Sequence, residues 1–270
     1  MDHKVNFKKS MKCNVLIFDS GLGGLSIYKK IKHRFPNVNY VYACDNNEFP
    51  YGEKKELFII KRCFKIISII SNNVNITAVI LACNTASITS LLTLQNHFPF
   101  PIIGIIPDIE KSVKVTKNKI IGLLATKTTI HHCNIQNKIL SFYPNITIKT
   151  LHNPELVVMA EKKLKYNFLE IKNIKNILKP WLISPQIPDT IILGCTHFYF
   201  LKHEIKSLFL KKTKVIDSNI VIPKKLCKIL KNSIITNKNI AFFSKDIKNN
   251  IRLLRLFNKY NFTKFKKLNL

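Results

Sequence analysis

The chain has 270 residues, of which 46% are apolar and 22% charged, and its formal net charge is +29. That balance supports a large globular core and excludes an intrinsically disordered chain, a collagen and a disulfide-stapled miniprotein. No window of about 18 apolar residues occurs, so no membrane-spanning helix is expected. The cations are 40 lysines against four arginines (Arg34, Arg62, Arg252 and Arg255), scattered along every segment. Arginine supplies the bidentate contacts of nucleic-acid readout, so this pattern favours solvated faces, and no specific nucleic-acid partner is expected. There are seven cysteines, an odd number with no Cys-x-x-Cys spacing, which points to free thiols in a reducing cytoplasm. The basic stretch at 1–11 leads into apolar residues only at 15–18, too short for the core of a signal peptide, and Met11 is an alternative start.

In chain order, residues 15–18 read as a strand ending at Asp19, and a glycine-rich turn at 21–24 leads into a helix at 25–33. Residues 40–43 are the next strand, followed by a loop through Tyr51 and Gly52 and helical periodicity at 54–71. A strand at 78–82 precedes a helix at 85–96, and a strand at 102–105 ends before Pro107. Residues 120–124, 147–150, 190–193 and 214–216 are strand candidates with helices between them. Residues 240–243 form the last strand, with a helix to about 258. Alternation of this kind implies parallel sheets with right-handed crossovers.

Glycine is scarce, seven in 270 residues, yet three lie together at Gly21, Gly23 and Gly24. Such a chain keeps glycine where positive φ or close backbone approach demands it. Gly104 and Gly122, inside apolar runs, fit ordinary packing. Two strings echo each other: Ala-Val-Ile-Leu-Ala-Cys-Asn-Thr at 78–85 and Thr-Ile-Ile-Leu-Gly-Cys-Thr-His at 190–197. Likewise Ile-Phe-Asp-Ser at 17–20 resembles Val-Ile-Asp-Ser at 215–218. The expected fold class is α/β, with two similar doubly wound parallel-sheet domains and the site in the cleft between them, because ligands bind outside the carboxyl ends of such strands.

Cys83 and Cys195 then lie at strand ends facing that cleft. A thiol at a helix N-terminus is easier to ionise, and Asp19 and His197 are candidate proton partners. The other five cysteines read as small buried hydrophobes. His131, His132 and Cys133 form only a weak metal cluster, so no metal is expected. Two thiols on opposite faces of a carbon would allow one to remove a proton while the other returns it with inversion. Gly21-Leu-Gly-Gly lacks the spacing of a dinucleotide fingerprint.

With these motifs in place (Phe-Asp-Ser-Gly-Leu-Gly-Gly at 18–24, Pro-Tyr-Gly at 50–52, Ala-Cys-Asn-Thr-Ala at 82–86, Gly-Cys-Thr-His at 194–197, Ile-Asp-Ser at 216–218), the chain resembles the bacterial glutamate racemases from about residue 12 to 258. The resemblance implies cofactor-independent interconversion of L- and D-glutamate, supplying D-glutamate for peptidoglycan and so for cell-wall biogenesis and cell shape. It implies that Cys83 acts on D-glutamate and Cys195 on L-glutamate, assisted by Asp19 and His197. Asn84, Thr85 and Thr196 would meet the α-carboxylate and amino group, with Ser20, Tyr51 and Gly52 completing the binding set. In Asn-Pro-Glu-Leu-Val-Val-Met-Ala-Glu at 153–161, Glu161 rather than Glu155 aligns with a glutamate that assists catalysis. Relatives are often dimers, so a homodimer is among the expected assemblies.

Domain one is expected at 11–106, completed by about 220–260, with domain two at 107–219 and a basic tail at 261–270. Departures from the family pattern are Asn153 where cysteine is frequent, Ala-Thr-Lys-Thr-Thr at 125–129 in place of a glycine-threonine turn, and Cys44 where glycine is common. The alternatives are a racemase for aspartate or another amino acid, and a basic binding protein that has lost catalysis.

Overall fold

A computed structural model describes residues 12–218, 220–234 and 239–270. The alternative start at Met11 lies outside the described residues. The chain first lays down β1 (Asn14–Asp19), β2 (Asn39–Cys44), β3 (Ala78–Leu81) and β4 (Ile102–Gly104). It then builds a second sheet from β5 (Ile120–Ala125), β6 (Thr147–Leu151), β7 (Thr190–Gly194) and β8 (Lys214–Asp217), and returns for β9 (Ile240–Phe243) and β10 (Lys264–Lys267). The six-stranded sheet runs β10-β9-β2-β1-β3-β4 and the four-stranded sheet β6-β5-β7-β8. Every pairing is parallel.

The sequence dictates these strands by alternation on a buried sheet. Val15 and Ile17 join Tyr40, Tyr42, Ala78 and Ile80 in a core on one face. Leu16 and Phe18 join Val41, Ala43, Val79 and Leu81 on the other. Both faces are apolar because helices cover both. The helix Glu56–Asn73 covers one face through Ile59, Cys63, Ile66, Ile67 and Ile70, a stripe at helical spacing. In the second sheet Leu124, Ile191 and Leu193 pack to one side, and Ile121, Leu123 and Ile192 to the other.

Both sheets share one plan: the first strand is flanked by the second and the third, so the order reverses between first and third. That switch point lies between β1 and β3 in one sheet and between β5 and β7 in the other. Cys83 follows β3 and Cys195 follows β7, so the first echo in the sequence marks equivalent positions. The second echo does not. Asp19 ends the central strand β1, whereas Asp217 ends β8, an edge strand whose counterpart is β4.

Residues 261–270 are not a tail. Lys264–Lys267 pairs in register with β9, and the Leu268 N–H donates to Phe243 O at 2.7 Å. Lysines on both sides of Phe265 hid this strand from a reading by hydrophobicity, but charge suits an edge strand because it discourages further pairing. Phe265 packs against the core of the first sheet.

Gly122 in β5 faces the ring of Trp181, and a Cβ there would lie 2.8 Å from the indole. Trp181 is buried in the helix Ile171–Leu182 and is the chain's one tryptophan. Gly122→Ala is therefore expected to destabilise the fold by ~1–3 kcal/mol through overpacking, read from urea unfolding followed by Trp181 fluorescence.

Candidate active site

The site is assembled where the glycine turn after β1 meets the segment after β7. Asp19 is fully buried at the end of β1. Its Oδ1 accepts from the Gly21 N–H at 2.7 Å, and its Oδ2 from the Thr196 hydroxyl at 3.1 Å. The first contact bends the turn and the second crosses to the other sheet. Burial raises the Asp19 carboxyl above its usual range, partly offset by the nearby His197 and these hydrogen bonds.

The turn needs glycine for proximity, not for unusual dihedrals, since no glycine of the chain has positive φ. A Cβ on Gly21 would lie 2.3 Å from Glu161 Oε1, and one on Gly23 2.4 Å from Thr196 Oγ1. With side chains absent, the backbone reaches the charged groups. The Leu22 N–H donates to Glu161 Oε1 at 2.9 Å, and the Gly23 N–H lies 3.1 Å from His197 Nε2. The turn is itself pinned: Gly21 O accepts from the Tyr42 hydroxyl at 2.9 Å and the Cys44 thiol at 3.3 Å. Cys44, a departure from the family pattern, thus has a partner in the turn.

Glu161 lies on the helix Pro154–Tyr166, whose first turn is capped by Asn153 accepting from the Glu155 N–H at 2.8 Å. Glu155 is exposed at this helix start, whereas Glu161 is buried and 3.3 Å from His197 Nε2. Burial alone would raise the Glu161 carboxyl, but hydrogen bonding and charge from His197, with Lys165 adding to both, bring it down to about 2. Burial likewise opposes charge on His197, yet the Cys195 contact and Glu161 push its imidazole up to about 10. At neutral pH Nε2 therefore carries a proton and donates to Glu161. The Gly23 N–H is the partner that this nitrogen gains when the proton leaves, so both ring states are accommodated.

His197 Nδ1 lies 3.8 Å from Cys195 Sγ, and Phe49 packs on the ring with centroids 5.4 Å apart. Cys195 precedes a 3-10 turn, Thr196–Leu201, rather than an α-helix. Cys83 precedes the helix Asn84–His97, and Ser20 Oγ lies 3.9 Å from its Sγ. The expectation of easy ionisation fails for Cys83. Burial, with the charge of Asp19 added, pushes the thiol up to about 12, outweighing the helix N–H of Ala86. The two thiols are only 7% and 8% exposed.

The remaining expected residues line the seam. Asn84 Nδ2 donates to Ser218 Oγ at 2.9 Å and to Ile105 O at 3.3 Å, while Ser218 donates to Leu193 O. Those two acceptors fix the amide orientation and leave Asn84 Oδ1 buried without a hydrogen bond. Thr85 Oγ1 lies 2.9 Å from Thr126 Oγ1, and the Thr128 hydroxyl donates to Gly52 O at 2.7 Å. They join the helix Asn84–His97 and the turn at Gly52 to the start of the helix Lys127–His131. The Tyr51 hydroxyl is committed to Asp45 Oδ2 at 2.6 Å, and Arg62 grips the same carboxylate at 2.7 and 2.9 Å. Sequence reasoning missed the Arg62–Asp45 clamp, Ser218 as the partner of Asn84, and Phe49 on His197. Only Ser218 carried a signal, in its Ile-Asp-Ser motif. Among the described residues no group of three or more His, Cys, Asp or Glu could hold a metal ion, and no helix is long and apolar enough to cross a membrane.

The shifts of the buried pair imply a stability window. Glu161, lowered from 4.5, contributes above pH 4.5 and loses that contribution as the pH falls toward about 2. His197, raised from 6.5, contributes below pH 6.5 and loses it as the pH rises toward about 10. Glu161→Gln is therefore expected to lower the melting temperature most between pH 4.5 and 6.5, with the gap to the wild type narrowing on either side. Thermal melts across pH measure this.

Comparison with known proteins agrees with this architecture. The Asp/Glu/hydantoin racemase family matches residues 22–224. The chain is 46% identical over 256 residues to a glutamate racemase of Buchnera aphidicola (subspecies Schizaphis graminum), covering 95% of this chain and all of that protein. It is 37% identical to a glutamate racemase of Pectobacterium atrosepticum, covering 94% and 90%. Its fold is similar to that of Escherichia coli glutamate racemase solved with L-glutamate and the activator UDP-MurNAc-Ala, with a TM-score of 0.88, 37% identity, and 95% and 98% of the two chains covered. A glutamate racemase isoform from Bacillus anthracis superposes with a TM-score of 0.79 at 25% identity, covering 96% and 98%. By fold, site motifs and relatives alike, the chain belongs to the Asp/Glu/hydantoin racemase family.

Proposed function

We propose that this protein interconverts L- and D-glutamate by proton transfer between two thiols, and that the D-glutamate serves peptidoglycan synthesis. One observation carries the reading: Cys83 and Cys195 occupy the same place at the switch points of two like-wound sheets that meet in one seam. The glutamate racemases to which the chain is similar supply the substrate. The division of the chain near residues 107 and 219 belongs to the same proposal. So does a cytoplasmic location, in keeping with seven free cysteines.

The reaction needs a strong base because the α-proton of an amino acid is very weakly acidic. The Cys83 thiolate takes that proton from D-glutamate: an S–H bond forms, the Cα–H bond breaks, and the electron pair stays on Cα, delocalised into the α-carboxylate. The Cys195 thiol then gives its proton to the opposite face, leaving a thiolate, and L-glutamate results. The reverse direction exchanges the roles, and proton exchange resets the pair. A Cys83 thiol held up at about 12 is a strong base once ionised. The substrate's ammonium group, received by the orphaned Asn84 Oδ1, offsets the cost of that thiolate. Protonated His197 faces Cys195 and stabilises the thiolate formed there, while Glu161 orients the ring. Thr85 and Thr196 offer hydroxyls, Gly52 lets Thr126 close on the loop, and near-complete burial excludes water.

Incubation with L- or D-glutamate in D₂O, without added cofactor, tests the reading. Loss of optical activity with deuterium at Cα is expected from either enantiomer. Cys83→Ala and Cys195→Ala are expected to abolish racemisation, whereas Cys227→Ala, on the helix Lys224–Lys231, leaves it nearly intact. Turnover of aspartate but not glutamate would reassign the substrate. Full turnover without Cys83 would sink the two-thiol mechanism.

A further inference from the structure

One charged group at the site has no part in the proton transfer itself. The helix Pro154–Tyr166 carries Glu161 and ends in a basic turn, closed by Asn167 in the left-handed conformation. Lys163 in that turn is committed elsewhere, to Glu204 Oε1 at 2.6 Å and to Phe200 O at 2.7 Å. Lys165 instead lies one helical turn beyond Glu161 and donates to its Oε2 at 2.6 Å. The lysine side chain is 27% exposed and the carboxylate 10%, so the contact runs from the protein surface into the buried site. The two oxygens of Glu161 are thereby divided. Lys165 takes Oε2, and Oε1 is left for the Leu22 N–H and His197 Nε2.

We propose that Lys165 is a positioning residue for the Cys195 half of the site: by holding Glu161 Oε2 it fixes Oε1 toward Leu22 and His197, and so sets the ring that faces Cys195. The proposal rests on the function proposed above. The order of contacts is Lys165, Glu161, His197, Cys195, each side chain touching the next. Glutamate placed four residues N-terminal to lysine is the favourable order on a helix. The other titratable or charged groups around Glu161 are Asp19, Tyr42 and Cys44 from the first sheet. On the helix Ile251–Lys259, Arg252 lies over the Tyr166 ring. Among the described residues only Lys165 takes Glu161 Oε2, so no described neighbour covers its loss.

Removing the cation favours protonated Glu161, so its midpoint rises. Lys165→Met is expected to lower kcat about fivefold with KM changed less than about twofold, and to raise the Glu161 midpoint by about one pH unit. Lys165→Arg, which keeps the charge and the reach, is expected to restore both. A folded Lys165→Met protein with the kcat and Glu161 midpoint of the wild type overturns the proposal. So does equal loss in the Met and Arg variants, because that would make the lysine merely structural. ¹³C NMR titration of the Glu161 carboxyl separates this test from the reading on which it rests. If the wild type does not racemise glutamate, that reading falls. A Glu161 midpoint raised in Met and restored in Arg still supports the role of Lys165, and one midpoint common to all three proteins overturns it.

Discussion

Burying Glu161 against His197 is the constraint around which the cleft is organised. Two charges taken out of water cost more than their mutual attraction returns unless further hydrogen bonds complete them. Here Lys165 holds one carboxylate oxygen. The Leu22 N–H holds the other, and the Gly23 N–H stands ready for the ring nitrogen in its deprotonated state. Neither could come so near if Gly21 or Gly23 carried a side chain. A chain that retains few glycines therefore places two of them where charge is buried, and the turn they form is held by Tyr42 and Cys44 from the strand beside it.

The parallel sheets explain why one seam holds both thiols. Each sheet opens its carboxyl edge at its switch point, and the two openings face each other. Contacts such as Thr196 to Asp19, Asn84 to Ser218 and Thr128 to Gly52 then close the seam. The two thiols in that seam are only 7% and 8% exposed.

The alternating pattern made the architecture legible in the sequence, because strands buried on both faces leave continuous apolar runs. The Cys-plus-polar endings marked the two equivalent strand ends. What the letters did not carry was anything fixed by packing across the seam. The Arg62 clamp on Asp45 pairs residues on different elements, without a local motif. Lysines disguised β10, since an edge strand profits from charge that a core strand would reject. The ionisation of Cys83 went against the expectation from its helix because dehydration outweighs a helix terminus in so closed a place. The echo of Asp19 in Asp217 was a likeness of letters between strands with different places in their sheets.

The surroundings of the two thiols are unequal, with Ser20 beside Cys83 and His197 beside Cys195. Mirror-image amino acids have identical free energies in water, so the equilibrium constant between them is one whatever the protein does. The Haldane relation then equates kcat/KM for the two enantiomers. Asymmetry in the cleft can make one hand bind tighter only by making it turn over more slowly in the same ratio. Under the proposed two-thiol mechanism, an uneven pair of thiols sets how saturation is shared between the mirror forms, and leaves the final composition of the mixture untouched.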